Sequence, residues 1–239
     1  MSRSAKTRPA KIALLTAHGQ PSAPEGQEQA LTQLAQQVSE QLPDWDIRSA
    51  TLASPGRLEQ LMQDGALVYP FFMADGWFTS QVLPKRLQGF HYEQLPSFGQ
   101  DPALPQLTAN VLFQAFQAFQ AQRTKTLGKP PVLLAAHGSA RGPKAAEATE
   151  LFAQALRPLL PGHQVITCYI EQAPFVADAA RDLPADTLCL PFFAQSGNHV
   201  IMDLPEALKE ADFKGRTLPS LGSSKGIVSL IAQALKAAA

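Results

Sequence analysis

The chain carries the same plan twice. Ala17-His18-Gly19 returns as Ala136-His137-Gly138, and Tyr69-Pro70-Phe71-Phe72 as Leu190-Pro191-Phe192-Phe193. Leu95-Pro96-Ser97-Phe98-Gly99 returns as Leu218-Pro219-Ser220-Leu221-Gly222, and Gly76 with Leu83-Pro84 as Gly197 with Leu204-Pro205. The landmarks keep their order at a nearly constant spacing of half the chain, which is the signature of a duplicated folding unit. In 239 residues each copy has the size of a small domain. The copies differ at one informative place: His199 stands where the first half has Phe78.

Within each copy, apolar runs alternate with polar, helically spaced segments. The run from Lys11 to Ala17 ends at His18-Gly19, the pattern of a strand buried on both faces and closed by a turn. Further strands are expected at 47–52, 66–72 and 95–98, then at 132–136, 165–170, 187–193 and 216–219. Helices are expected near 25–41, 56–62, 78–87 and 107–122, then 144–159, 175–181, 198–210 and 225–236. Such alternation implies parallel strands joined by right-handed crossovers. The expected fold class is therefore α/β, with two similar open parallel-sheet domains carrying helices on both faces. The polar, proline-terminated stretch from Thr124 to Pro131 reads as the linker between repeats at 11–124 and 131–239. Phe113, Phe116 and Phe119, three apart on a helix, read as core packing.

Lysine plus arginine equals aspartate plus glutamate at 20 each, so global charge gives no pull toward nucleic acid or a membrane surface. Cys168 and Cys189 lie in apolar runs without metal-type spacing and are expected to be buried in strands. The polar, basic start has no signal-peptide core, and no run reaches the roughly 18 apolar residues of a membrane span. A soluble cytoplasmic protein is expected.

In open parallel sheets, ligands bind beyond the carboxyl ends of the strands. His18, His137 and Glu171 all follow expected strands directly, and His199 opens the helix after the third strand of the second half. His137, Glu171 and His199 can thus converge on one edge. Two imidazoles and a carboxylate suit a borderline divalent ion, and so small a ligand set leaves coordination positions open for a substrate. Asp203, four residues after His199, is placed to take its second ring proton. Ser196-Gly197-Asn198 supplies the turn and an expected helix cap. His91 and His163, in polar, proline-flanked segments, are expected to be solvated.

Three segments of the second half together resemble the class II tetrapyrrole chelatases. They are His137-Gly138-Ser139-Ala140-Arg141-Gly142, Cys168 through Phe175, and Leu190 through Val200 followed by Asp203-Leu204-Pro205-Glu206. The sirohydrochlorin cobaltochelatase and ferrochelatase branch is the nearest. The likeness runs in order through 131–239 and recurs, weakened, over 11–123. It implies insertion of a divalent metal, cobalt or iron, into a modified tetrapyrrole without ATP or an organic cofactor, in a cleft between two similar domains. The resemblance carries the family's metal-binding histidines to His137 and His199 and its acidic partner to Glu171. The first half keeps His18 alone, so its site reads as degenerate.

Metallation must strip water from the ion, remove two pyrrole protons and bend the ring. Imidazole titrates near neutrality and can serve the ion and a proton in turn. The substrate's carboxylates should meet cations and backbone donors, for which Ser139, Arg141, Lys144, Ser196 and Gly197 are the candidates, with Lys85 and Arg86 on the first-half rim. Trp77, Phe78 and His18 are candidates to lie against the macrocycle. The partner is expected to be the tetrapyrrole alone, with no nucleic acid and no membrane, bound by a monomer whose duplication supplies both domains. A tetrapyrrole or metal carrier that never turns over is the rival reading. A serine hydrolase is disfavoured by the lack of a G-x-S-x-G elbow, and a histidine phosphatase by the alanines at 17 and 136.

Overall fold

The computed structural model describes residues 11–120, 128–140 and 142–239. Part of the expected linker, and Arg141, therefore lie outside the described residues. The first half runs β1 (Lys11–Ala17), α1 (Pro24–Gln41), β2 (Trp45–Thr51), α2 (Arg57–Leu61), β3 (Ala66–Pro70), α3 (Leu83–Arg86), β4 (Tyr92–Gln94) and α4 (Leu104–Gln120). The second runs β5 (Val132–Ala136), α5 (Lys144–Leu156), β6 (Val165–Tyr169), α6 (Val176–Ala180), β7 (Leu188–Pro191), α7 (Leu204–Glu210), β8 (Arg216–Thr217) and α8 (Ile227–Ala237). Two four-stranded sheets result, ordered β2-β1-β3-β4 and β6-β5-β7-β8, with every neighbour parallel.

The central strands explain why both sheet faces are covered. Successive side chains of a strand point to opposite faces. In β1, Ala13, Leu15 and Ala17 enter a core that includes Leu31 and Val38 of α1 and Leu104 and Phe116 of α4, whereas Leu14 packs with Leu58, Leu83 and Leu87 of the outer helices. β5 repeats this: Val132, Leu134 and Ala136 face inward, and Leu133 and Ala135 join Val176, Leu204 and Leu208 outside. The inner core is continuous across both halves, because α1 packs on α8 and α4 on α5 between the sheets. Truncating a fully buried member such as Leu134 to alanine should cost about 2–5 kcal/mol. Cys168 and Cys189 are buried free thiols, as expected, and burial pushes both thiols upward in pKa.

Three expectations need correction. The fourth strand of the first half is Tyr92–Gln94, not 95–98. The polar edge strand pairs with Ala66 to Val68, while the apolar residues Leu95 and Phe98 descend into the core through a 3-10 turn at Phe98–Gln100. Of the phenylalanine stripe, Phe116 is buried, but Phe113 is exposed, since three-residue steps drift around a 3.6-residue helix. His163 is not solvated: its ring stacks on Phe116 at 4.2 Å, and its Nδ1 lies 2.8 Å from the Pro130 carbonyl.

The repeated Leu-Pro-Ser-x-Gly motif has a steric basis. A Cβ at Gly99 would lie 2.0 Å from the Met73 carbonyl oxygen, and one at Gly222 would lie 1.9 Å from that of Ala194. Only glycine lets these turns close against the loops after β3 and β7, which brings the amino ends of α4 and α8 to the carboxyl edges of the sheets.

Candidate metal centre at the carboxyl edge of the second sheet

The loop after β5 is fixed by ladder-like bonds that extend beyond the strands. The Ile170 amide donates to the Ala136 carbonyl at 3.0 Å, and the Glu171 amide to the His137 carbonyl at 3.0 Å. These bonds set His137 and Glu171 side by side at the edge. His137 Nδ1 lies 2.8 Å from the Gly138 carbonyl oxygen and 3.7 Å from Glu171 Oε2. A carbonyl can only accept, so Nδ1 carries the proton and the Nε2 lone pair is left for a ligand.

His199 arrives from the loop after β7 through a wide turn. Residues His199–Asp203 form a π-helical turn in which the Leu204 amide donates to the His199 carbonyl. Pro205 follows at once. A proline has no amide hydrogen, and its ring collides with the carbonyl four residues back, which favours the wider register here. Phe78–Val82, ahead of Pro84, makes the same turn in the first half. Within the turn, His199 Nδ1 donates to Asp203 Oδ2 at 2.6 Å, again leaving Nε2 free. Asn198 does not cap the helix through its side chain: it is itself helical, and the Val200 and Ile201 amides bond to the Gly197 carbonyl instead.

The two imidazoles meet edge to face, with ring centroids 4.3 Å apart and planes at 83°. Ligand atoms of His137, Glu171 and His199 all lie within 4.8 Å of one another. Side-chain exposures of 44%, 42% and 36% leave the trio open to solvent, which an exchanging site requires. The three residues expected to converge do converge.

The other expected residues divide. The Ser139 amide donates to Gln172 Oε1 at 2.7 Å, which ties the loop after His137 to the one carrying Glu171. Lys144 is exposed at the start of α5, and Ser196 is exposed with its hydroxyl 2.9 Å from that of Ser220. Gly197 sits under α1 of the other half: a Cβ there would lie 2.5 Å from Gln27 Nε2, and Gln195 Nε2 donates to the Gln27 carbonyl. Arg86 is not a free rim cation. Its guanidinium is held by Glu59 at 2.6 and 2.8 Å and by the Leu52 carbonyl at 2.8 Å. Gln172, Gln27 and Ser220 escaped the sequence, because their partners are distant in the chain.

The first half has the same scaffold without counterparts of Glu171 and His199. The Leu52 amide bonds to the Ala17 carbonyl and the Ala53 amide to the His18 carbonyl, which identifies Ala53 as the counterpart of Glu171. His18 Nδ1 lies 2.6 Å from the Gly19 carbonyl, and its ring meets Phe78 at 4.2 Å and 84°. Phe78 thus occupies the place of the second imidazole. Around this pair lies a largely apolar cavity of about 250 Å³, walled by Leu52, Trp77, Phe78 and Val82, and Trp77 is two-thirds exposed.

Comparison with known proteins agrees with this asymmetry. The CbiX family model matches residues 131–238, the half that contains His137, Glu171 and His199. The solved structure of CbiX, described as the terminal enzyme for biosynthesis of siroheme in denitrifying bacteria, is 42% identical to this chain. It superposes with a TM-score of 0.86, covering 96% of this chain and 100% of that one. The chain belongs to the CbiX family. A probable sirohydrochlorin cobaltochelatase of Halobacterium salinarum is 23% identical in a 171-position alignment that covers 62% of this chain and 59% of that relative. SirB from Bacillus subtilis, solved with Fe3+, shares the CbiX fold at 13% identity and a TM-score of 0.67, over 95% of this chain and 94% of its own. Among the described residues, no helix is long and apolar enough to cross a membrane.

Proposed function

We propose that this chain inserts cobaltous or ferrous ion into a sirohydrochlorin-type tetrapyrrole, without ATP or an organic cofactor. One observation carries the reading: two imidazoles with free Nε2 atoms and a carboxylate share a 4.8 Å site on an open sheet edge. The 42% identity to a siroheme-forming CbiX supports the same substrate class and favours iron, and the halobacterial relative's name favours cobalt. His137 and His199 hold the entering ion and replace part of its water shell, keeping other faces open to the ring nitrogens. Glu171, exposed beside His137, accepts the pyrrole protons and releases them to solvent. Asp203 fixes the His199 tautomer throughout.

The macrocycle lies with one edge against Trp77, Phe78 and His18. Ser139, Arg141, Lys144, Ser196 and Gly197 meet its carboxylates from the other side. The repeats at 11–124 and 131–239 act as the two domains of a cytoplasmic monomer. Purified protein mixed with excess sirohydrochlorin and cobaltous or ferrous ion is expected to convert many equivalents of substrate. A spectral change that stops at one equivalent would replace the enzyme with a carrier.

A further inference from the structure

His199 reaches the metal centre on a loop rather than on the sheet. His137 and Glu171 are tied by backbone bonds that prolong the strands, whereas His199 follows a turn whose Ser196 and Asn198 are exposed. The base of that loop is built as in the first half. The Phe192 amide donates to the Ala135 carbonyl and the Gly222 amide to the Phe193 carbonyl, as the Phe71 amide does to Thr16 and the Gly99 amide to Phe72. Ser196 meets Ser220 as Asp75 meets Ser97.

Beyond this base the two turns are held by different means. In the first half the turn closes on itself: the Gly76 amide donates to Thr79 Oγ1 at 2.9 Å, and the Ser80 hydroxyl donates to the Gly76 carbonyl at 2.8 Å. At the spacing that pairs Gly76 with Gly197, these two residues correspond to Val200 and Ile201, which have no hydroxyl. The turn that bears His199 takes its anchor from the other half instead. Gln195 Nε2 donates at 3.0 Å to the carbonyl of Gln27, in the first turn of α1, and the Gln27 side chain lies against Gly197. The counterpart of Gln195 is Ala74, which has no side-chain donor, and a Cβ at Gly76 would meet nothing within 4 Å. Among the described residues, this clasp between the halves occurs only at the turn that presents an imidazole.

One such bond contributes modestly to stability, but its place gives it leverage. The Gly197 carbonyl accepts from the Val200 and Ile201 amides, so a shift at Gly197 carries the π-helical turn and His199 with it. Two imidazoles share an ion only while both lone pairs reach it, and metal–nitrogen bonds of about 2 Å tolerate little displacement.

We propose that Gln195 is a positioning residue, which holds His199 opposite His137 by fastening its turn to α1 of the first half. The first half then serves the metal centre without touching the ion. The inference rests on the metal-centre reading of His137 and His199.

The test is Co2+ titration calorimetry on the full chain, with thermal melts alongside. Gln195→Ala, which copies the first-half residue, should weaken Co2+ binding about 5-fold and alter the visible ligand-field bands of the bound ion. Adding Val200→Thr supplies the hydroxyl that staples the first turn, and should return the affinity to within about 2-fold of wild type. Gln41→Ala removes another bond between the halves, from Gln41 Nε2 to Ser229 Oγ at 3.2 Å, at the opposite end of α1. It should leave Co2+ affinity unchanged, which separates positioning from docking of the halves. Equal Co2+ affinity in wild type and Gln195→Ala overturns the proposal, as does a loss that Gln41→Ala reproduces or that Val200→Thr fails to repair in a folded chain. The metal centre itself stands in each of those cases. A wild-type chain that binds no Co2+ overturns both the metal-centre reading and the proposal.

Discussion

The carboxyl edges of the two sheets are built alike and equipped differently. Each places a histidine after its central strand, with Nδ1 held by the next carbonyl and the ring edge-on to an aromatic or imidazole ring about 4 Å away. In the second half the partner ring is His199, and Glu171 completes the set. In the first half they are Phe78 and Ala53. Backbone hydrogen bonds, glycine turns and π-helical turns are common to both scaffolds, so two side chains separate the candidate metal centre from an apolar pocket. The two halves therefore share one shape while offering different chemistry at the same place.

The sharpest way to break the comparison is to remove the ligand that distinguishes the halves. His199→Ala should lower kcat/KM for metallation about 1,000-fold, or about 4 kcal/mol of transition-state stabilisation. Phe78→Ala, at the matching position, should act mainly on KM. Comparable kcat losses in both would erase the asymmetry. Steady-state absorbance assays measure both.

Asp203→Asn keeps the shape of the pair but weakens the acceptor that orients His199. Metal affinity should fall about 10-fold, with the fold unchanged, as read by Co2+ calorimetry and circular dichroism. The reverse experiment equips the first half: Ala53→Glu with Phe78→His should raise bound Co2+ from one to two equivalents. A stoichiometry that stays at one in a folded double variant would show that the matching geometry is insufficient.

The smallest effect concerns what pins the first edge. Burial raises the pKa of Glu28, but the Thr51 hydroxyl and amide, the Ser54 hydroxyl and Arg57 outweigh it and hold the carboxyl below its usual 4.5. Its contribution is therefore complete above that value and lost as pH falls through the lower folded one. Glu28→Gln should cost about 1 kcal/mol at pH 7, with the gap to wild type narrowing near pH 3 in thermal melts.

The architecture was legible because both central strands are continuous apolar runs and the repeat doubles every signal. β1 and β5 were expected at the residues where they occur, while β4 was misplaced because its apolar neighbours Leu95 and Phe98 serve the core rather than the ladder. The metal trio was legible for a related reason: each member directly follows a strand or opens a helix, so topology alone converges them. Contacts between the halves were not. Gln27 under Gly197 and His163 on Phe116 depend on how two sheets pack, and no local pattern encodes that.

Anomalous scattering from a Co2+-soaked crystal tests the central claim most directly. The account predicts one strong site bonded to Nε2 of both His137 and His199 and within reach of Glu171, with none beside His18. A cobalt ion at His18, or a second half that stays empty while the protein turns over, would contradict it.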